Sequence, residues 1–321
     1  MIILSSLAQY LHLRLSATSE WRGLHREYTT SSVWAISLQA KLNHQETDLA
    51  RRPTLRCIGS QNGGERRMLN KIYNMDCIEG MRKLPDNSVD ITVTSPPYDN
   101  LRTYNGFSWD FEVMAKELYR VTKQGGVVVW IVADATIKGS ETGTSFSQAL
   151  YFKEIGFNLH DTMIWNKGTL TFPNPLRYHN GFEYMFILSK GKPKTVHLIE
   201  DRTNKHGGSL IRGTSRQVNG ELSRQSGHGK RRVKDVGARF NVWDIPPVQS
   251  SKERTGHPAQ FPERLVVDHI ISWSKEGDLV LDPFMGSGTT AVAAKKSNRN
   301  YIGFEVSKEY CDIANKRLEE R

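Results

Sequence analysis

Two short stretches of the 321-residue chain combine residue types with evident chemical uses. The first is Thr94-Ser95-Pro96-Pro97-Tyr98, directly after the apolar run at 89–93. Two successive prolines fix φ and remove two N–H donors, so the carbonyls of Ser95 and Pro96 become rigid acceptors. The Ser95 hydroxyl and the Tyr98 ring complete the set. Such a group suits an exocyclic amine on a planar ring. The lone pair of that nitrogen is delocalised into the ring, and acceptors that hold its two hydrogens out of plane localise it toward an electrophilic carbon. Tyr98 can stack on a base rotated out of a duplex, where the target nitrogen is otherwise out of reach. An ordinary strand-to-turn connection is the plain alternative.

The second stretch is DLVLDPFMGSGTTAVAAKK, residues 278–296. It reads as a strand ending at Asp282, a glycine loop, and a helix opening near Thr289. Gly286 and Gly288 permit a tight turn and let backbone N–H groups approach a ligand. Glu305 ends the next apolar run, a little over twenty residues on, where a carboxylate can accept hydrogen bonds from ribose hydroxyls. A triphosphate-binding loop needs Lys before Ser or Thr, and here Gly288 is followed by two threonines, which sets that reading aside. A dinucleotide loop lacks its third glycine, although Ala291 or Ala293 could take that place. A purely structural turn is the bland reading.

The elements that must position these residues alternate. Strands are predicted at 70–74, 89–94, 126–133, 159–165, 183–188, 279–281 and 301–304. Helices are predicted at 78–84, 111–121, 146–155, 265–273, 289–296 and 308–318, with Pro262 at the start of the fourth, where a missing N–H costs nothing. The alternation implies an α/β fold, a doubly wound, mostly parallel sheet with helices on both faces. Thr94 and Asp282 both end strands. In such a sheet, ligands lie beyond the carboxyl ends, where the winding reverses.

Two regions depart from the pattern. Residues 1–67 have irregular periodicity and read as a poorly structured extension or a misassigned start. Residues 190–250 read as a basic insertion: between 190 and 240 thirteen Lys and Arg stand against four Asp and Glu, nearly the whole +10 net charge of the protein. That concentration favours contact with a phosphate backbone over a merely solvated loop. Hydrophobic residues make up 38%, enough for a core. Cys57, Cys77 and Cys311 show neither metal-ligand spacing nor a disulfide framework, which fits a reducing cytosol and no metal. No run spans a bilayer, and the first fifteen residues lack the form of a signal peptide.

The chain resembles the amino-group DNA methyltransferases of bacterial restriction–modification systems, in particular the permuted subclass whose catalytic motif precedes its cofactor motif. The resemblance covers about residues 69–321. TSPPY matches the catalytic motif, and DPFMGSGTT the loop for S-adenosylmethionine (AdoMet). It implies a Rossmann-like AdoMet-dependent fold, with Ser95, Pro96, Pro97 and Tyr98 at the target base. It implies Asp282, Phe284, Gly286, Gly288, Thr289, Glu305 and Asp76 at the cofactor. Asp76 could equally cap the following helix, and Phe284 could equally be core. Residues 68–189 would be the catalytic half, 190–250 the target-recognition insertion, and 251–321 the cofactor half. HPAQFPERL, 257–265, resembles the segment before a helix lining the methionine side; His257, with no metal-ligand partner, is read as structural. Trp165 reads as core, and Arg177 as either base pocket or DNA contact. Double-stranded DNA with a flipped base is the implied partner, together with a cognate restriction endonuclease. Ser at the first catalytic position is associated in the family with cytosine N4, and Asp or Asn with adenine N6. Either side chain can accept an amine hydrogen, so the chemistry alone leaves both open.

Overall fold

The computed structural model describes residues 68–97, 110–168, 175–248 and 260–320; Tyr98, His257 and residues 1–67 lie outside them. In chain order the first half comprises β1 (Lys71–Asn74), α1 (Cys77–Arg82), β2 (Val89–Thr94), α2 (Phe111–Val121), β3 (Thr122–Val132), the small hairpin β4 (Thr136–Ile137) and β5 (Ser140–Glu141), α3 (Thr144–Glu154), β6 (Asn158–Asn166) and β7 (Phe182–Ser189). Five short strands follow: β8 (Glu200–Thr203), β9 (Thr214–Arg216), β10 (Leu222–Arg224), β11 (Val236–Ala238) and β12 (Val242–Asp244). The chain closes with α4 (Glu263–Trp273), β13 (Leu279–Asp282), α5 (Thr289–Lys296), β14 (Asn300–Glu305) and α6 (Lys308–Glu319).

Eight strands form one sheet in the order β1-β14-β13-β2-β3-β7-β6-β12. All run parallel except β7, which is antiparallel to both neighbours. Strand alternation divides the core into two layers. Val128, Trp130 and Val132 of β3 face α1, α2 and α3 through Met81, Leu118 and Phe152. Val127, Val129 and Ile131 face the other way, in the layer holding Leu265 and Ile270 of α4, Val292 of α5 and Leu318 of α6. The predicted doubly wound sheet with helices on both faces is the architecture found.

Element bounds differ where backbone geometry overrides hydrophobic pattern. Asn70 stands outside β1 with φ +58°, its side chain bonded to Asn300 and to the Tyr301 N–H. β3 begins at Thr122 rather than 126, because α2 runs straight into it through an irregular stretch containing Gly125, φ +79°. The basic region has more structure than its composition suggests. β8 to β11 form one long antiparallel arm, with Thr203 opposite Val236, Leu210 opposite Arg232 and Thr214 opposite Arg224, and β12 returns to the main sheet beside β6. Lys190 is no part of this arm. Its ammonium is bonded to Asn87, the Tyr119 carbonyl and the Thr122 carbonyl, 4.4 Å from the Tyr119 ring centroid, at the amino end of β3. Among the described residues, no helix is long and apolar enough to cross a membrane.

Candidate active site

The winding reverses between β13 and β2. These strands are neighbours, with Val280 opposite Ile91 and Leu281 opposite Thr92, so Asp282 and Thr94 end side by side. The Thr94 hydroxyl donates to Asp282 Oδ1 at 2.6 Å. From the first turn of α5, the Thr290 hydroxyl donates to Asp282 Oδ2 at 2.6 Å and lies 3.3 Å from the Val93 carbonyl. The Phe284 N–H donates to Oδ1 at 3.0 Å. One buried carboxylate thus ties together the root of the Ser95–Pro97 turn, the glycine loop and the helix after it. Burial pushes the Asp282 carboxyl up to about 6; the donors from Thr290, Thr94 and Phe284 oppose that rise. Asp282 was expected at the cofactor. Both of its oxygens accept hydrogen bonds within this joint, so it sets where the two loops stand.

The glycine loop has the backbone that its sequence predicts. Gly286 and Gly288 have φ +52° and +82°, in the left-handed region. A Cβ on Gly288 would lie 2.7 Å from the Ala314 Cβ of α6, so only glycine lets α6 approach this turn. Gly288 also precedes α5 without a side-chain cap, leaving the first amides of that helix to the loop. Thr289 is turned toward α6, where Arg317 donates to its hydroxyl at 3.3 Å and also to Ser287. Phe284 is half-buried and meets the Trp130 ring edge-on at 6.4 Å, packed against the core.

Glu305 ends β14 next to the loop. Its Oε2 accepts the Gly286 N–H and its Oε1 the Ser307 N–H, each at 2.8 Å. Burial raises the Glu305 pKa, and these amides oppose that rise. The carboxylate retains acceptor capacity for a ligand hydroxyl. Asn74 lies opposite Glu305, which places Asp76 at the adjoining strand end. There Asp76 caps α1, accepting the Ile78 and Glu79 amides at 2.9 and 3.1 Å. Left-handed glycines, an uncapped helix start and a carboxylate with acceptor capacity beside the loop fit a nucleoside-bearing cofactor.

On the other side of the joint, Ser95 is half-buried, Pro96 buried and Pro97 half-buried. One strand across lies an open cleft of about 430 Å³, beyond the carboxyl end of β3, lined by Asp134, Glu141, Arg177, Tyr178, Asn180 and Tyr184 among others. Its acidic and aromatic lining went unread in the sequence. The signal available was Asp134 directly after an apolar strand, and the aromatic run Tyr178, Phe182, Tyr184 entering another. Arg177, left undecided above, bonds the Gly139 carbonyl and lies 3.6 Å from Glu141, across the β4–β5 turn. Trp165 is core: it is buried, and its indole N–H donates to the Ile245 carbonyl at 2.7 Å.

Comparison with known proteins bears directly on this geometry. The N6/N4 DNA methylase family matches residues 89–316. The chain belongs to that family. This methylase is 60% identical over 239 residues to the orphan methyltransferase M.BamHII of Bacillus amyloliquefaciens, covering 73% of the chain and 89% of the relative. Among solved structures, the PvuII DNA methyltransferase (cytosine-N4-specific) shares the fold, with TM-score 0.56 and 20% identity over 77% of this chain and 85% of that one. The M1.HpyAVI–SAM complex aligns with TM-score 0.51 and 25% identity, over 77% of this methylase and 99% of that chain. The protein is therefore an AdoMet-dependent DNA methyltransferase of the restriction–modification type.

Proposed function

We propose that this methylase modifies the exocyclic N4 of cytosine in duplex DNA, at a base rotated into the site beside Ser95, Pro96, Pro97 and Tyr98. The observation that carries the reading is the Thr94–Asp282–Thr290 joint, which fastens the proline turn and the glycine loop to one another at the switch point of the sheet. Ser95 and the carbonyls of the proline turn accept the hydrogens of the amine and turn its lone pair out of the ring plane. Tyr98 stacks on the extruded ring. AdoMet, when bound, supplies an electrophilic methyl group on a sulfonium. Glu305 and the loop of Gly286 and Gly288 would hold it, with Phe284, Thr289, Asp282 and Asp76 shaping that side. Holding both partners in register is the main catalytic device available to these residues, and orientation of this kind supplies at most about 7–11 kcal/mol.

The preference for cytosine rests on Ser95 at the first motif position. The arm binds the phosphate backbone: between 200 and 238 nine Lys and Arg stand against four Asp and Glu, and Lys205, Arg212, Arg224, Lys230 and Arg231 are exposed. The resemblance also implies a cognate endonuclease, but M.BamHII is named an orphan methyltransferase, so the proposal rests on methyl transfer alone. The deciding experiment is expression in a methylation-free host followed by sequencing that maps modified bases. N4-methylcytosine at a defined site is the expected result; N6-methyladenine would overturn the choice of base, and unmodified DNA with methylated RNA the choice of substrate.

A further inference from the structure

The arm of β8 to β11 has no core of its own, since no residue from 200 to 238 is buried. Its ladder satisfies its backbone but does not fix its angle to the sheet. Something at the root must do so if arm charges are to meet phosphates while a base sits beside Ser95. Among the described residues, the ion pairs linking the arm to the sheet and its helices run through Arg239, the residue immediately after β11.

Arg239 is well placed for that task. Its Nε donates to Asp201 of β8 at 3.1 Å, and its Nη1 to Asp268 of α4 at 2.7 Å. Its N–H donates to the Ile199 carbonyl at 2.8 Å, closing the arm across its root. The guanidinium lies over Trp243 of β12, 4.9 Å from the ring centroid. Trp243 in turn stacks on His269 of α4 at 4.5 Å, and His269 Nε2 lies 3.2 Å from the Met185 sulfur of β7. Burial, with a smaller part from the Arg239 charge, lowers the His269 pKa to about 3, so the stack beneath the guanidinium is neutral at working pH. A planar fork that holds two carboxylates at once while lying on an indole is a task for Arg that Lys cannot reproduce.

We infer that Arg239 is a positioning residue that sets the angle of the arm to the catalytic sheet by joining Asp201 to Asp268 over Trp243. The inference rests on the reading of the arm as a DNA contact. Three variants of the full chain separate the two: Arg239→Lys, Asp201→Asn, and a neutralised arm, Arg212→Gln with Arg231→Gln. Each is assayed with tritiated AdoMet on genomic DNA from a methylation-free host, alongside AdoMet affinity and thermal stability. A hydrogen bond to a charged group is the interaction lost, so KM for DNA is expected to rise on the order of tenfold in Arg239→Lys and severalfold in Asp201→Asn. AdoMet affinity should stay within about twofold in both. Asp201→Asn removes no arm cation, so the salt dependence of its DNA binding should keep the wild-type slope, whereas the neutralised arm should show a shallower one. A normal KM for DNA in both root variants, with weakened binding in the neutralised arm, would overturn the clamp and leave the arm reading intact. Unaltered binding in the neutralised arm would overturn the arm reading itself. Loss of AdoMet affinity and of thermal stability in step with KM would make Arg239 merely structural.

Discussion

Thr94→Val is the sharpest probe of the joint, because it removes one hydroxyl and keeps the shape of the side chain. Thr94 and Asp282 are both buried, 0% and 1% exposed, so water does not replace the lost donor. A hydrogen bond to a charged, buried acceptor is worth about 1.5–3 kcal/mol net, and with the Phe284 N–H still on the same oxygen a cost of about 2 kcal/mol is expected. For a domain of this size that lowers Tm by about 4–8 °C. The cost should depend on pH in a defined direction. The Asp282 carboxyl titrates at about 6 in the folded chain, against 3.8 as its ordinary value. The folded state therefore holds this proton more tightly than the unfolded state. The stability it contributes is fully present below pH 4 and is lost as pH rises through 6, about 3 kcal/mol in all. Removing a donor that favours the ionised form raises the carboxyl further, so the upper edge of that window moves toward pH 7. Urea unfolding at pH 5 and pH 8 should then show the larger penalty at pH 8, and Asp282→Asn, which does not titrate, should abolish the difference.

The same variant tests function. Thr94 precedes Ser95, and slack of about 1 Å between reacting groups costs about a hundredfold in rate. Single-turnover methylation should slow about ten- to a hundredfold, with AdoMet affinity within about twofold of wild type. Equal penalties at the two pH values would show that the hydroxyl does not serve a carboxylate titrating near 6. An unchanged single-turnover rate would show that the joint does not hold the catalytic turn in register, and the reasoning would fail there.

Other expected outcomes follow from the same geometry. Glu305→Gln should weaken AdoMet about tenfold by calorimetry, since the amide keeps an acceptor but loses the charge; unchanged affinity would remove Glu305 from the cofactor site. Gly288→Ala places a Cβ 2.7 Å from the Ala314 Cβ at φ +82°, and should cost more than about 2 kcal/mol in urea unfolding; a neutral result would mean α6 is not packed on this turn. Tyr98→Ala should depress methyl transfer and leave AdoMet binding nearly intact; loss of AdoMet affinity instead would contradict the division between the two motifs.

The parts of the fold legible in the sequence were those governed by short-range rules. Val89–Thr94 is β-branched at every position but Asp90, and turn residues bound it, so its limits could be read directly. α5 could be placed because the glycine loop ends at Gly288, directly before it. Illegible were matters of direction and distance. An Asp at a strand end before a glycine loop has the same letters whether it faces a ligand or the neighbouring strand; only the pairing of β13 with β2 turns Asp282 to Thr94. Lys190 counted as insertion charge because composition does not show that it folds back onto the Tyr119 and Thr122 carbonyls. The arm was hidden for a similar reason, since its ladder pairs residues as far apart as Thr203 and Val236, in a segment without a periodic apolar face.

Those two kinds of information meet in how the site is assembled. The motifs specify chemistry locally, as acceptors on a stiff turn and amides on a glycine loop, but neither has any means of setting its distance from the other. That distance is set by the joint of Thr94 and Thr290 on the buried Asp282 carboxylate, with Thr94 and Asp282 188 positions apart in sequence. A buried carboxylate is a costly way to join two loops unless each of its oxygens is satisfied. Here both are, by three donors from three segments. Loss of any one donor leaves charge underpaired in the interior, so the joint favours the assembled arrangement over partly assembled ones. A wholly apolar contact at the same place would give comparable burial but far weaker preference for a single register.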